Sequence, residues 1–139
     1  MNLIRRFSIL VCGLLLFCAA CSNKQTQFTP AGNSLDAARE FIDGCLKGDF
    51  DKANYYMQKD AENLSNLEKM KASYEKKSKN DRKQYQQASI IIEEIDSVND
   101  STDIINYKNS FDRIARKVKV VKGPDGWIVD FKYTISGNI

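Results

Sequence analysis

Small and apolar side chains recur at helical spacing in the segment after residue 33. Their positions follow the pattern i, i+1, i+4, i+5, i+8 and i+9: Ala37, Ala38, Phe41, Ile42, Cys45 and Leu46. This spacing puts all six side chains on one face of an α-helix. Ser34 is the predicted N-cap of that helix, and Gly48 is its predicted C-terminal cap.

The helical pattern continues with less regularity as far as residue 78. A second, short helix is predicted after residue 49, and its buried positions are Ala53, Tyr56 and Met57. A third helix is predicted over residues 61–78. Its buried positions are Leu64, Leu67, Met70 and Tyr74, at spacings of three, three and four.

From residue 89 onwards the pattern changes to β-branched runs and alternation. Strands are predicted over residues 89–96, 102–110 and 116–122, and the last of these places Val118 and Val120 on one face. A strong turn signal at residues 123–126 then leads into a final strand, which completes an antiparallel hairpin. One face of that strand is predicted to carry Trp127, Val129, Phe131 and Tyr133, opposite Ile128, Asp130 and Lys132.

Helices that precede strands predict an α+β fold, with the N-terminal helices packed on one face of a curved antiparallel sheet. Residues 34–139 are long enough for one such domain. Residues 22–33 are polar and end in a turn-forming run, so they are predicted to be a flexible tether. That tether would span about 40 Å fully extended and about 20 Å on average.

The first 21 residues have the pattern of an export signal. Arg5 and Arg6 precede an apolar run over residues 7–20, in which only Ser8 is polar. As a helix this run would span about 21 Å, short of the roughly 30 Å of a bilayer's hydrocarbon core. A cationic start and a small-residue end are typical of a secretory signal rather than of a transmembrane helix.

Residues 17–21 read Phe-Cys-Ala-Ala-Cys and resemble the lipobox of bacterial lipoproteins, although Cys18 stands where that pattern usually has leucine. The resemblance implies cleavage between Ala20 and Cys21 and a diacylglyceryl group on Cys21, whose acyl chains would hold the protein on a membrane. Ser22 after the cysteine implies sorting to the outer membrane of a bacterial cell envelope. The sequence does not indicate which leaflet of that membrane would carry the protein. The alternatives are an ordinary secreted protein and, from the arginine pair, twin-arginine export.

Composition restricts the chemistry of the processed chain. Loss of residues 1–20 removes two arginines and leaves 19 basic against 18 acidic residues, a balance that gives no support to nucleic-acid binding. The chain has no histidine, which excludes histidine-dependent nucleophiles and histidine zinc sites. Cys45 would be the one thiol left beside lipidated Cys21 and is expected to be a buried apolar residue. No metal and no cofactor are expected.

Short motifs from both halves of the domain point to one family. They are Ala38-Arg39-Glu40-Phe41-Ile42, Leu46-Lys47-Gly48-Asp49-Phe50, Lys52-Ala53 and Gly126-Trp127-Ile128-Val129-Asp130. Over about residues 34–134 this arrangement resembles small bacterial lipoproteins with a nuclear-transport-factor-2-like (cystatin-like) domain, many of them domains of unknown function. The resemblance implies a curved sheet that wraps a long helix and often leaves a conical pocket. Members of the family include enzymes, binding modules and accessory domains.

The aromatic residues of the predicted sheet are the candidate pocket lining. Tyr107, Trp127 and Phe131 either line a cone or form its filled core, because the two interpretations use the same residues. Some enzymes of this fold pair a carboxylate base with a tyrosine, and Asp130 with Tyr107 is the conceivable pair here. The alternation of the last strand argues against this pair, since it points Asp130 away from Trp127 and towards solvent.

A basic stretch over residues 69–83 is either a contact for an anionic surface or a solvated helix end and loop. Together these patterns favour a non-enzymatic, membrane-anchored module that binds a small ligand or an envelope protein. The first alternative is an enzyme that acts on a small apolar substrate in the cone. The second is a structural accessory domain, which includes a possible homodimer through an exposed sheet face.

Overall fold

The computed structural model describes residues 27–136 of the 139-residue chain. The predicted signal segment, with Ala20 and Cys21, lies outside the described residues, as do residues 137–139 at the end of the predicted domain. The helices and strands in chain order are α1 (Ser34–Lys47), α2 (Phe50–Tyr55), α3 (Ala61–Glu75), α4 (Lys79–Gln87), β1 (Ile90–Asn99), β2 (Thr102–Asn109), β3 (Arg116–Lys122), β4 (Trp127–Asp130) and α5 (Phe131–Ser136).

The four strands form one antiparallel sheet in the order β1-β2-β3-β4, and α1 packs against β2, β3 and β4. The predicted α+β class is therefore confirmed. Each strand pairs with its neighbour in sequence, so short turns suffice to connect them. The predicted hairpin of β3 and β4 is also confirmed, with Val120 opposite Val129 in its register.

The ends of α1 follow local capping chemistry. The side chain of Asn33 accepts a hydrogen bond from the backbone N–H of Asp36 at 2.8 Å, so Asn33 is the N-cap. The predicted cap, Ser34, was wrong by one position. Ser34 is instead the first helical residue, and its buried hydroxyl donates to Asp103 of β2. Gly48 ends the helix in the left-handed conformation (φ 75°), as the sequence predicts.

The apolar face of α1 lies on the inner face of the sheet and forms the core. Phe41 is 2% exposed, and its ring centroid lies 5.1 Å from that of Phe131. Each fully buried side chain of this size contributes about 1.5–3 kcal/mol through the removal of apolar surface from water. Every residue of the core cluster lies between Ala31 and Phe131. A chain that begins at residue 22 therefore retains all the core residues found among residues 27–136, and we expect it to fold on its own.

Strand β1 is an edge strand, and most of its residues are exposed. Two register shifts interrupt its pairing with β2, and three of its apolar residues are exposed: Ile91, Ile95 and Val98. Carboxylates at Glu93, Glu94 and Asp96 share the same strand. Bulges and charges on an edge oppose pairing with another strand, so this edge is protected against self-association.

The predicted third helix, residues 61–78, ends three residues early in the structure and is followed by a helix that the sequence did not predict. Helix α3 ends at Glu75, and α4 begins after Ser78, whose hydroxyl oxygen accepts from the backbone N–H of Asp81 at 3.0 Å. The sequence prediction missed α4 because none of its residues is buried, so it has no apolar stripe.

The last strand is shorter than predicted. Strand β4 ends at Asp130, and the chain continues as helix α5. Asp130 is 7% exposed and not solvated as expected, because Lys119 and Lys132 pair with its carboxylate at 3.6 and 3.2 Å. The fully buried side chain of Asn63 accepts from the backbone N–H of Lys132 at 2.6 Å, which places the first turn of α5 against α3.

The end of the predicted tether belongs to the domain. The hydroxyl of Tyr56 donates to the carbonyl of Thr29 at 2.7 Å, and the carbonyl of Ala31 accepts from the N–H of Trp127 at 3.0 Å. A Cβ at Gly126 would lie 2.7 Å from that same carbonyl oxygen, so only glycine permits this approach. A flexible tether is therefore the wrong description for residues 28–33.

Candidate ligand-binding cavity

A cavity of about 630 Å³ opens between the helices and one end of the sheet. Residues of helices α1, α3, α4 and α5 form most of its wall, and residues at the end of β2 and the start of β3 form the remainder together with the turn between them. This size lies within the range of small-molecule sites in proteins, roughly 300–1,000 Å³.

Most of the cavity wall is apolar. The helical stripe that packs on the sheet continues past the core, so α1 presents both buried and cavity-facing positions. The aliphatic and sulfur-containing lining residues are Ile42, Cys45, Leu46, Met70, Ile114, Ala115 and Ile135. Such a wall favours an apolar ligand surface, because contact with it removes both surfaces from water.

Tyr107 and Arg116 form the sheet side of the cavity. They are register partners on β2 and β3, and directly opposite residues in an antiparallel pair have Cβ atoms about 4.5–5.5 Å apart. Tyr107 is 8% exposed, and no residue among 27–136 hydrogen-bonds its hydroxyl. This hydroxyl is thus a donor available to a molecule in the cavity.

Asp112 holds Arg116 in place. The two guanidinium Nη atoms donate to the two carboxylate oxygens of Asp112 at 3.0 and 2.7 Å, a bidentate pair. The hydroxyl of Tyr85 on α4 donates to the same carboxylate at 3.1 Å. This contact joins α4, through the cavity-lining Tyr85, to the turn between β2 and β3.

Local hydrogen bonds fold the turn that carries Asp112. The Asn109 side-chain oxygen accepts from the backbone N–H groups of Phe111 and Asp112 at 2.9 and 3.0 Å, and its amide donates to the Asp112 carboxylate. Asparagine favours such turns because its short side chain reaches the backbone two residues on. Arg113 takes a positive φ of 55° in the same turn.

The protonation states of these groups are well separated. Desolvation by burial raises the pKa of Asp112, but hydrogen bonds from Arg116, Ile114 and Asn109 outweigh it and lower the pKa to about 2. Burial raises the pKa of the Tyr107 hydroxyl, and desolvation raises the pKa of the partly exposed Cys45 thiol to about 12. At neutral pH the cavity therefore contains a charged ion pair beside a neutral phenol and a neutral thiol.

The rim of the cavity is cationic. Lys69 and Lys77 line it from the α3 side, and the Lys77 ammonium lies 5.0 Å from the centre of the Tyr85 ring, a cation–π distance. None of the described residues that line this cavity carries a carboxylate group. Asp112, which is bound to Arg116, is not one of the lining residues.

The predicted pocket residues separate in the structure. Only Tyr107 lines the main cavity, whereas Trp127 lines a second cleft of about 320 Å³ together with Pro124 and Tyr56. Phe131 is 1% exposed and belongs to the core. The conceivable catalytic pair does not form either, because Asp130 is engaged by two lysines and lines neither space.

Several cavity residues were missed as site candidates from the sequence. Arg116 was assigned only to a strand, and neither Tyr85 nor Asp112 was assigned to an element or a site. The spacing Asn109-x-x-Asp112 was an available signal for an ordered turn, but not for a ligand.

No known protein family, curated protein or solved structure matches this chain. Within residues 27–136, no helix combines the length and the hydropathy needed to cross a bilayer. The same residues contain no group of three or more cysteine, aspartate or glutamate side chains that could hold a metal ion.

Proposed function

We propose that this protein is a lipid-anchored module of the bacterial cell envelope that binds a small molecule in the cavity beneath α3 and α4. The observation that supports this function is an open, mainly apolar cavity of about 630 Å³ that is lined by Tyr107, whose hydroxyl has no hydrogen-bond partner among the described residues. Apolar walls with a few convergent polar groups are typical of small-molecule sites.

The chemistry of the cavity favours binding over catalysis. General acid–base catalysis needs a group whose pKa lies near the working pH. Tyr107 and Cys45 have raised pKa values and stay neutral, while Asp112 stays ionised within its hydrogen bonds to Arg116. These groups can orient a ligand, but none is poised to exchange a proton at neutral pH.

The membrane anchor rests on the N-terminal pattern. Residues 17–21 resemble a lipobox, and several acyl chains on Cys21 would give the stable attachment that one chain cannot give. The expected mass of the processed protein is that of residues 21–139 plus the lipid, and Cys21→Ser should leave the chain uncut. A processed protein with an unmodified Cys21 thiol would contradict this part of the proposal.

The binding proposal can be tested with an apolar fluorescent probe, N-phenyl-1-naphthylamine, and a chain of residues 22–139. We expect saturable binding, and we expect Cys45→Phe to weaken it at least about tenfold because the ring occupies cavity space. The matched control is Ile128→Phe in the second cleft, which should leave the affinity unchanged. If Ile128→Phe abolishes binding and Cys45→Phe does not, the second cleft is the site and the proposal is wrong.

A further inference from the structure

We infer, on the basis of the binding function proposed above, that the ligand is a single-chain amphiphile with an anionic carboxylate head. Its head would lie between Tyr107, Arg116 and the lysines of the rim, and its chain would lie against the apolar residues of α1 and α3. Three observations support the inference: the positive charges that line the cavity, the hydrogen-bond donors of Tyr107 and Arg116 that have no partner among the described residues, and the volume of the cavity.

The charges around the cavity are arranged for an anion. Lys69, Lys77 and Arg116 line the space, none of the described lining residues has a carboxylate, and the carboxylate of Asp112 is bound to Arg116. Two positive charges remain uncompensated by residues of the lining. A cleft lined by one sign of charge with apolar walls concentrates ligands of the opposite sign.

Donors are available where a carboxylate would lie. A guanidinium has five N–H groups, and Arg116 uses two with Asp112 and one with the carbonyl of Ile114 at 3.1 Å. Tyr107, whose side chain is largely buried, adds a neutral hydroxyl that has no hydrogen-bond partner among the described residues. This hydroxyl faces solvent in the open cavity, so a ligand acceptor can replace water there without breaking a hydrogen bond within the described residues.

The cavity volume suits one acyl chain. At about 30 Å³ for each heavy-atom group, the share of one water molecule in the liquid, a volume of about 630 Å³ holds on the order of 20 such groups. A single-chain fatty acid does not exceed this number of heavy atoms, whereas a two-chain phospholipid is too large to enter whole. The ion pair of Arg116 and Asp112 stays intact, because the ligand needs only the remaining N–H groups.

The test compares three twelve-carbon probes on residues 22–139, each below its micelle concentration: dodecanoate, dodecanol and dodecyltrimethylammonium. Displacement of N-phenyl-1-naphthylamine reports their affinities. We expect dodecanoate to bind at least about tenfold tighter than dodecanol, since hydrogen bonds to a charged group are the stronger ones. The cationic probe should bind weakest, and added salt should reduce the preference for dodecanoate.

Two double variants test whether the lysines of the rim cause the preference for dodecanoate. Lys69→Gln with Lys77→Gln should reduce dodecanoate affinity about threefold to tenfold and leave dodecanol unchanged, because only the anion interacts with these charges. The matched control is Lys117→Gln with Lys122→Gln, an equal loss of charge on exposed positions of β3 outside the cavity. Unchanged dodecanoate affinity in the rim variant would overturn the inference.

The outcomes separate this inference from the proposed function. Equal affinity for dodecanoate and dodecanol would overturn the anionic ligand and leave the binding function standing. No binding of any probe, the fluorophore included, would overturn both.

Discussion

Replacement of Asn63 by alanine should destabilise the domain more than any single loss of a surface hydrogen bond. Asn63 has no exposed surface. Its amide donates to Asp60 at 2.8 Å and to Asp130 at 3.3 Å, and its side-chain oxygen accepts from the backbone N–H of Lys132 at 2.6 Å. One side chain therefore connects the start of α3, the end of β4 and the start of α5.

The magnitude follows from the groups that the substitution leaves unpaired. Each buried donor or acceptor without a partner costs about 1–3 kcal/mol. The Asn63→Ala variant leaves the N–H of Lys132 without its acceptor and removes a donor from the buried Asp130 carboxylate. We expect a loss of about 3–4 kcal/mol, a large share of the 5–15 kcal/mol that stabilise a typical domain.

Urea unfolding of residues 22–139, followed by circular dichroism, measures this loss as a shift of the midpoint at constant slope. The control is Asn106→Ala, because Asn106 donates to Glu94 at 3.1 Å on an exposed part of the sheet. That change should cost less than about 1 kcal/mol. Equal losses in the two variants would refute the argument that burial makes Asn63 important.

Three further predictions concern single side chains. The folded pKa of Asp112 lies at about 2, below its ordinary value of 3.8, so its contribution is present above pH 4 and is lost as the pH falls towards 2. It amounts to about 2 kcal/mol, and urea unfolding at several pH values should show a smaller acid loss in Asp112→Asn. At pH 8, iodoacetamide should alkylate Cys45 at least about 100-fold more slowly than in urea, because desolvation raises its thiol pKa to about 12; equal rates would contradict this. Gly48→Ala should lower stability by about 1–2 kcal/mol, since φ is 75° and a Cβ would lie 2.6 Å from the Tyr74 ring; an unchanged melting temperature would disprove it.

The sequence by itself determined the elements whose signals are local. Helix α1 was predictable because its apolar stripe and its glycine cap lie within fifteen consecutive residues, 34–48. The hairpin of β3 and β4 was predictable because alternation flanks a turn signal at residues 123–126. The order of helices before strands then predicted the α+β class.

Only the tertiary structure decided where the chain departs from these local patterns. The alternating pattern predicted a strand as far as Tyr133. In the structure the strand ends at Asp130. There the side chain of Asn63 forms hydrogen bonds with Asp130 and Lys132, which lie 67 and 69 residues away in the sequence. The same contacts bury Asp130, which alternation alone pointed towards solvent. Local periodicity carries no information about such distant partners.

The cavity is the clearest product of tertiary structure. It brings together Cys45 of α1, Lys77 after α3, Tyr85 of α4 and the pair of Tyr107 and Arg116. No sequence spacing links these residues, so the sequence identified Tyr107 but also offered Trp127 and Phe131, which face a second cleft and the core. The strand register and the packing of the helices decide which of these aromatic residues lines the cavity, although all three look equivalent in the sequence. The reason is that a binding site depends on distances between segments of the chain, and not on the order of residues within one segment.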